Sequence, residues 1–360
     1  MDRILGQLYG IDDFVIIPET VSEISSRSQC DPFYYLENNN VLNHKLPLFA
    51  APMGGVIDTS NWQTFFNDSI NVVIPRTIPI DTRLELMFDT FIAISLNEAQ
   101  GIFLNKDMSK YLADRIAYIC IDIANGHMKK LLDICSNLKE KYGNNIILMS
   151  GNIANPKTYF EYAKVGIDYV RCSIGSGNVC TTAANSGIHY PLGSLILECY
   201  KNKKYIEKEI KRGEDNIYSN IPYKCVPKII ADGGFKNYDQ IIKALALGAD
   251  YVMLGEIFAK TEEACGELTY DINDKMYHTY YGMSTKKAQM LMGKSADECK
   301  TAEGIVKEVP VEYTLKGWTD NFIHYLKSAM SYTNSKNLEE FIGQVNMGIN
   351  TPMAHAAFYK

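Results

Sequence analysis

Eight short runs of nearly unbroken apolar character punctuate the chain, at 46–52, 71–74, 91–95, 116–121, 146–149, 168–172, 228–231 and 250–254. Continuous rather than alternating hydrophobicity marks strands covered on both faces, as in a parallel sheet. Between several of these runs the pattern changes to a helical period. Over 127–142, Met128, Leu131, Leu132, Cys135 and Leu138 fall on one face. Over 238–247, Ile241, Ile242, Ala244 and Leu245 do the same, and Gly248 stands where the helix should end. Alternating strand and helix predict a parallel sheet, and eight such units predict an α/β fold of the closed (β/α)8, or TIM-barrel, type. Residues 1–360 then form a single barrel domain.

Two connections are longer than ordinary loops, 173–227 and 261–314, and residues 345–360 form a tail beyond the last unit. Long loops in a compact domain are usually functional, and in a barrel the functional loops sit at the C-terminal ends of the strands. The gap at 75–90, between strands two and three, leaves no room for an inserted domain.

Composition narrows the function classes. With 46% hydrophobic and 22% charged residues the chain reads as an ordinary soluble globular protein. A net charge of −6 argues against nucleic acid or an acidic membrane as the main partner. No apolar run reaches the roughly 18 residues that span a bilayer, and the first residues lack the basic start and apolar core of a signal peptide. Nine scattered cysteines, an odd number with no CxxC pair, point to a reducing, cytoplasmic compartment rather than to disulfides or zinc. The six histidines show no metal-ligand spacing and read as surface or packing residues, His189 being nearest to candidate chemistry.

That chemistry centres on GSGNVCTT, residues 175–182, which follows the sixth apolar run. Its glycines open backbone conformations closed to other residues, so carbonyls and N–H groups can turn toward a ligand. Cys180 is thereby presented to a substrate, with the hydroxyls of Thr181 and Thr182 beside it. The competing reading is a flexible loop that carries a small apolar cysteine. After strand seven comes ADGGF, 231–235, and after strand eight MLGEIF, 253–258. Barrels often bind a phosphate at these two loops, where glycines let backbone N–H groups approach an anion. Asp232 at the strand mouth can accept hydrogen bonds from sugar hydroxyls. Glu256 would repel a phosphate unless its carboxylate turns away. The alternative is that Gly233, Gly234 and Gly255 only make tight turns.

GSGNVCTT, ADGGF, YVMLGEIFAKTEEACGE (251–267) and YYGMS (280–284) resemble, in order, the motifs of the IMP dehydrogenase/GMP reductase family. The resemblance covers about residues 11 to 342. It implies a (β/α)8 barrel, a homotetramer, a purine 5′-monophosphate and a nicotinamide dinucleotide as ligands, and often a potassium ion. CIDIANGH (120–127), HYPLGSLILEC (189–199) and TAEGIVKEVP (301–310) resemble the reductase branch. Dehydrogenases of the family activate water with an Arg-Tyr pair on a long flap; 284–302 is short and contains neither residue, and no CBS pair interrupts strands two and three.

The resemblance implies NADPH-dependent reductive deamination of GMP to IMP. Cys180 attacks carbon 2, and Thr182 and Glu303 move a proton to the departing ammonia. Asn178, Asp232, Gly233, Gly234, Gly255 and Glu256, with the backbone of Met283 and Ser284, hold the nucleotide. Arg76, Asp122, Asn125 and Gly126 face the cofactor. Carbonyls of Gly175, Gly177 and Cys180 ligate potassium. Three of these residues have plainer readings: Glu303 as a solvated surface acid, Met283 as packing, and Asp122 as a cap of the next helix. Two other functions stay open: IMP oxidation with NAD, and nucleotide binding without turnover. Four positions depart from the usual family pattern: Arg76 replaces a lysine, Gly54 an acid, Asn178 a phosphate-binding serine and Ala183 a basic residue.

Overall fold

The computed structural model describes residues 6–36, 40–214, 221–299, 301 and 303–358; parts of both long connections and the end of the tail lie outside the described residues. Eight parallel strands close into a barrel. They are β1 (Leu48–Ala50), β2 (Asn71–Ile74), β3 (Phe91–Ile94), β4 (Ala117–Asp122), β5 (Ile146–Ile153), β6 (Tyr169–Cys172), β7 (Lys228–Asp232) and β8 (Tyr251–Leu254). Each coincides with one of the eight apolar runs. β8 pairs back onto β1, Leu48 with Val252 and Ala50 with Leu254, so the barrel has no open edge. This is the TIM barrel that the sequence pattern predicts.

Side chains alternate along each strand, so every second residue enters the barrel. At the N-terminal end these inward residues are aromatic on five of the eight strands. Phe49, Phe91, Tyr118, Tyr169 and Tyr251 are all buried, with ring centroids from 5.2 to 6.4 Å apart in edge-on and tilted pairs. Farther along the same strands the inward residues become polar. Tyr118 in β4 is followed at period two by Cys120 and Asp122, Tyr169 in β6 by Arg171, and Ile230 in β7 by Asp232. The strands thus carry a dry plug at one end and a charged floor at the other.

The outer helices bury their apolar stripes on the barrel. Lys129–Tyr142 buries Leu131, Ile134, Cys135, Leu138 and Tyr142. The stripe is centred slightly off the one read from the sequence: Ile134 and Tyr142 complete it and Leu132 is only half-buried. Tyr238–Ala246 ends as expected before Gly248, which takes φ +112° where a Cβ would strike the Tyr200 ring at 2.3 Å.

The connection 173–227 is less irregular than its length implies. It holds the short helix Thr182–Ser186 and the 23-residue helix Leu192–Glu214. The connection 261–314 folds into an antiparallel sheet of β9 (Leu268–Tyr270), β10 (Met276–Tyr281) and β11 (Val306–Pro310). Between β10 and β11 lies helix Lys286–Leu291, whose first turn is capped by Thr285 accepting the Ala288 N–H. In the tail, Met347–Ile349 pairs with Phe14–Ile16, tying the end of the chain to its beginning. Among the described residues no helix is long and apolar enough to cross a membrane.

Candidate active site

A cavity of about 250 Å³ opens at the C-terminal ends of the barrel strands. Its walls include Asn178, Cys180 and Thr182 of the glycine-rich loop after β6, the carboxylates of Asp122 and Asp232, and Met283 and Ser284 after β10. A second cavity of about 1090 Å³ adjoins it, sharing Arg76, Ala124, Met283 and Ser284 and reaching Glu303. Two adjoining cavities suit two ligands that meet at one wall.

The loop bearing Cys180 is held by the segment leading into β11. Thr181 N–H donates to Glu303 O, and Ile305 N–H to Val179 O, both at 3.0 Å. This strand-like clasp brings together side chains more than a hundred residues apart. Cys180 Sγ donates to Thr182 Oγ1 at 3.4 Å, and Thr182 Oγ1 donates to Glu303 Oε2 at 3.0 Å. Glu303 is indeed exposed, as the surface reading has it, but its carboxylate is bonded to the hydroxyl beside the thiol. A thiol, a hydroxyl and a carboxylate in series can pair a nucleophile with a proton route.

Beneath the thiol lies a buried ionic network. Arg171 Nη1 bonds Asp122 Oδ1 at 2.6 Å, and its Nε and Nη2 reach Asp232 Oδ2 at 3.0 and 2.9 Å. Arg76 Nε meets Asp122 Oδ2 at 3.1 Å, and Asn152 Nδ2 meets Asp232 Oδ2 at 2.6 Å. The strand register makes this possible. Asp122, Gly151 and Arg171 are aligned across β4, β5 and β6. A Cβ on Gly151 would lie 2.6 Å from Arg171 O and 2.7 Å from Arg171 Cβ, so glycine lets β5 lie this close to β6 at the root of the Arg171 side chain. Burial by itself raises the Asp122 carboxyl, but the Arg171 and Arg76 guanidinia outweigh it and hold Asp122 below its ordinary value. Burial likewise lowers Arg171, and the Asp232 and Asp122 carboxylates more than reverse that. Asp122 does not cap the next helix, whose N-cap is Met128.

The glycine loops close the other side of the cavity. Gly233 and Gly234 take φ +91° and +86°, and a Cβ on Gly234 would sit 2.6 Å from Ser176 O. Only glycine lets the loop after β7 lie so close to the loop that carries Cys180. The loops are therefore tight turns, and they also line the cavity, with Gly255 opposite. Ser176 Oγ is buried without a hydrogen-bond partner, a donor suited to an incoming anion. Glu256, which threatened to repel a phosphate, is paired with Lys307 at 2.5 Å.

Not every candidate gathers here. Asn125 and Gly126 are absent from the walls of both cavities. Asn125 Oδ1 accepts the His127 N–H at 3.0 Å, and Gly126 packs between Asn152 O and the Tyr162 hydroxyl, each 2.6 Å from where its Cβ would be. They shape the turn after β4. Gly177 O accepts the Cys180 N–H at 2.9 Å. Among the described residues no cluster of His, Cys, Asp or Glu could hold a metal, so a cation at this loop would rest on backbone carbonyls. Gly54, where an acid is usual, lies under the Tyr281 ring, 2.1 Å from the position of its Cβ. The histidines pack as expected: His189 bonds Ile174 O at 3.0 Å and His278 bonds Ala259 O at 3.1 Å.

Among the polar wall residues that escaped the sequence reading are Arg171, Asn152, Ser176 and Tyr280. Arg171 had a usable signal, a charge inside an otherwise apolar strand. Tyr280 and Ser176 sit inside motifs already singled out. Asn152 is the next-to-last residue of β5 and carries no local signal.

Known proteins resemble this chain over most of its length. The family model described as "IMP dehydrogenase / GMP reductase domain" matches residues 99–356. The chain is 30% identical over 334 residues to a GMP reductase of Caenorhabditis elegans, covering 91% of this chain and 87% of that one. It is 27% identical over 333 residues to GMP reductase 2 of Bos taurus, 91% and 90% of the two chains. It is also 34% identical over 232 residues to an inosine-5′-monophosphate dehydrogenase of Chlorobaculum parvum, covering 62% of this chain but 43% of that protein.

Proposed function

The chain belongs to the IMP dehydrogenase/GMP reductase family of oxidoreductases, and on that premise we propose that it is a GMP reductase, converting GMP to IMP and ammonia with NADPH. The series Cys180–Thr182–Glu303 carries this reading. Ammonia leaves carbon 2 of guanine poorly unless it gains a proton, and a hydroxyl bonded to a carboxyl group is placed beside the thiol to supply one.

In this mechanism Cys180 Sγ forms a bond to carbon 2 of GMP. The thiol proton passes through Thr182 to Glu303 and from there to the amino group, which departs as ammonia and leaves a thioimidate on the enzyme. NADPH, when bound, supplies a hydride to carbon 2. The carbon–sulfur bond then breaks, releasing IMP and returning the electron pair to Cys180. Covalent catalysis divides one difficult substitution into two easier steps. Asp232 receives the ribose hydroxyls. Asn178, Gly233, Gly234, Gly255 and Tyr280 surround the phosphate, with the charge of Glu256 taken up by Lys307. Met283 and Ser284 meet the purine edge. Asp122 and Arg76 face the nicotinamide end, and Asn125 and Gly126 act on it through the turn they shape.

The size of the second cavity, and its junction with the first at Arg76, Met283 and Ser284, support a dinucleotide there. Carbonyls of Gly175, Gly177 and Cys180 are hard oxygen donors of the kind potassium accepts, and we include that ion, a homotetramer and a cytoplasmic setting in the proposal. Nine free cysteines support a reducing compartment. The similarity to a dehydrogenase favours IMP oxidation as the second reading; against it stands a flap without Arg or Tyr over 284–302. Absorbance near ~340 nm, the reduced nicotinamide band, separates the two. Loss of signal with GMP and NADPH supports the reductase. A gain with IMP and NAD, with release of XMP, would replace it by the dehydrogenase.

A further inference from the structure

Asp122 and Asp232 stand on β4 and β7 and face different ligands in the proposed reaction, yet both are held by the same side chain. The side chains of Arg171, Asp122 and Asp232 are 9%, 11% and 11% exposed. The guanidinium spends one nitrogen on Asp122 Oδ1 and two on Asp232 Oδ2, and Gly151 lies against the backbone and Cβ at the root of that side chain. We propose that Arg171 is a shared positioning residue that orients the nucleotide-binding and the dinucleotide-binding carboxylates together, so that one side chain sets the affinity for both ligands. This rests on the reductase reading for the identity of the two ligands.

The charges support it. Two carboxylates are balanced by Arg171 and Arg76. The other titratable groups around the trio are Cys120 beside Asp122, Cys172 and Tyr280 toward Asp232, and Tyr162 near Arg171. Burial pushes the Cys120 thiol up to about 12 and raises Cys172 and both tyrosines, although for Cys172 the bond to Cys199 is the larger cause. None of these four can replace a lost cation. Without Arg171, two buried carboxylates would have only Arg76, and one would take up a proton more readily.

The test is calorimetric titration of the full chain with GMP alone and with NADP⁺ alone, between about pH 8 and pH 6. Asp232→Ala should weaken GMP and spare NADP⁺; Asp122→Ala should do the reverse. Arg171→Gln should weaken both by ~10-fold or more, the scale of a lost charged hydrogen bond, and the loss should deepen on acidification. Arg171→Lys, which keeps the charge, should recover much of both affinities without the new pH dependence. If Arg171→Gln does not fold, the charge-balanced Asp122→Asn/Arg171→Gln variant replaces it, and unchanged GMP affinity there overturns the proposal. Loss of one ligand only, or of both with no change in pH dependence, also overturns it while leaving the reductase reading intact. A wild-type protein that binds neither ligand would overturn both.

Discussion

The two ends of the barrel are built from the same strands and obey opposite rules. At the N-terminal end, Phe49, Phe91, Tyr118, Tyr169 and Tyr251 fill the interior with rings and exclude water. Two to four residues later the same inward positions hold Asp122, Arg171 and Asp232, paired among themselves and open to the cleft. The first arrangement gains stability from buried apolar area, about 25 cal/mol per Å². The second gains little, because the desolvation of buried ions offsets much of their attraction. What it yields is fixed carboxylates aimed at a ligand. Substitutions in the cleft outside the ionic network should therefore cost function at nearly constant stability, those at the bottom stability at nearly constant function, and removal of one member of the network should cost both.

The largest effect expected is at the top. Cys180→Ala removes the atom that bonds carbon 2, so turnover should fall by ~10⁴-fold or more, on the scale of removing a catalytic nucleophile. GMP should still bind, and the melting temperature should stay close to wild type. Mass spectrometry of trapped wild-type enzyme should find the purine on Cys180. A turning-over alanine variant, or an adduct on another cysteine, removes Cys180 from the mechanism.

The largest effect expected at the bottom is from Phe91→Ala. Phe91 is wholly buried and meets Phe49, Tyr118 and Tyr169 at 5.8, 5.4 and 5.6 Å. Its loss should cost about 3–5 kcal/mol of unfolding free energy, the usual range for a buried ring. Activity per folded molecule should be near wild type at low temperature. Chemical denaturation beside steady-state kinetics decides it; a large change in KM would mean that the two ends are mechanically coupled.

The same contrast explains what was legible in the sequence. The eight strands were readable because both of their faces are dry, which leaves continuous apolar runs. Cys180, Thr182 and Glu303 were readable only through motifs, since nothing in a linear pattern says that residues 182 and 303 touch. The clasp of 303–305 on the catalytic loop is a long-range pairing, invisible before folding. Arg171 stands out as a charge in an apolar strand, but its role was not readable, because its partners lie on β4 and β7. Asn125 and Gly126 also came from a motif, and a motif records which residues recur and not whether they touch a ligand or hold a turn.

A smaller effect at the top separates proton movement from hydride transfer. Thr182→Ala and Glu303→Gln should slow GMP deamination by ~10²-fold, within the range of general acid–base catalysis. Hydride transfer needs no protonated partner, so the reverse half-reaction, IMP with NADP⁺ and no ammonia, should suffer less. Single-turnover absorbance measures both. Equal losses would mean that the pair positions the purine instead.

The smallest effect expected comes from a charge placed where the bottom's rule forbids one. Lys45, just before β1, is 8% exposed and lies over the Phe66 ring with its ammonium 3.3 Å from the centroid. It donates to Phe66 O, and no acid pairs with it among the described residues. Burial lowers its pKa from 10.5 to about 8. The folded state therefore releases the proton before the unfolded chain does. Between pH 8 and 10.5 the unfolded state binds more protons, so this group's contribution to stability rises with pH; it is complete above 10.5 and lost as pH falls through 8. Lys45→Met removes the cost of burying the charge, and at neutral pH it should stabilise the protein by about 1 kcal/mol after loss of the carbonyl bond and the ring contact. That advantage should shrink, and then reverse, as the wild-type lysine becomes neutral. Denaturation of both proteins across this pH window gives the difference directly. A constant difference would mean that Lys45 keeps its proton when folded and that the ring and carbonyl hold the charge as well as water does.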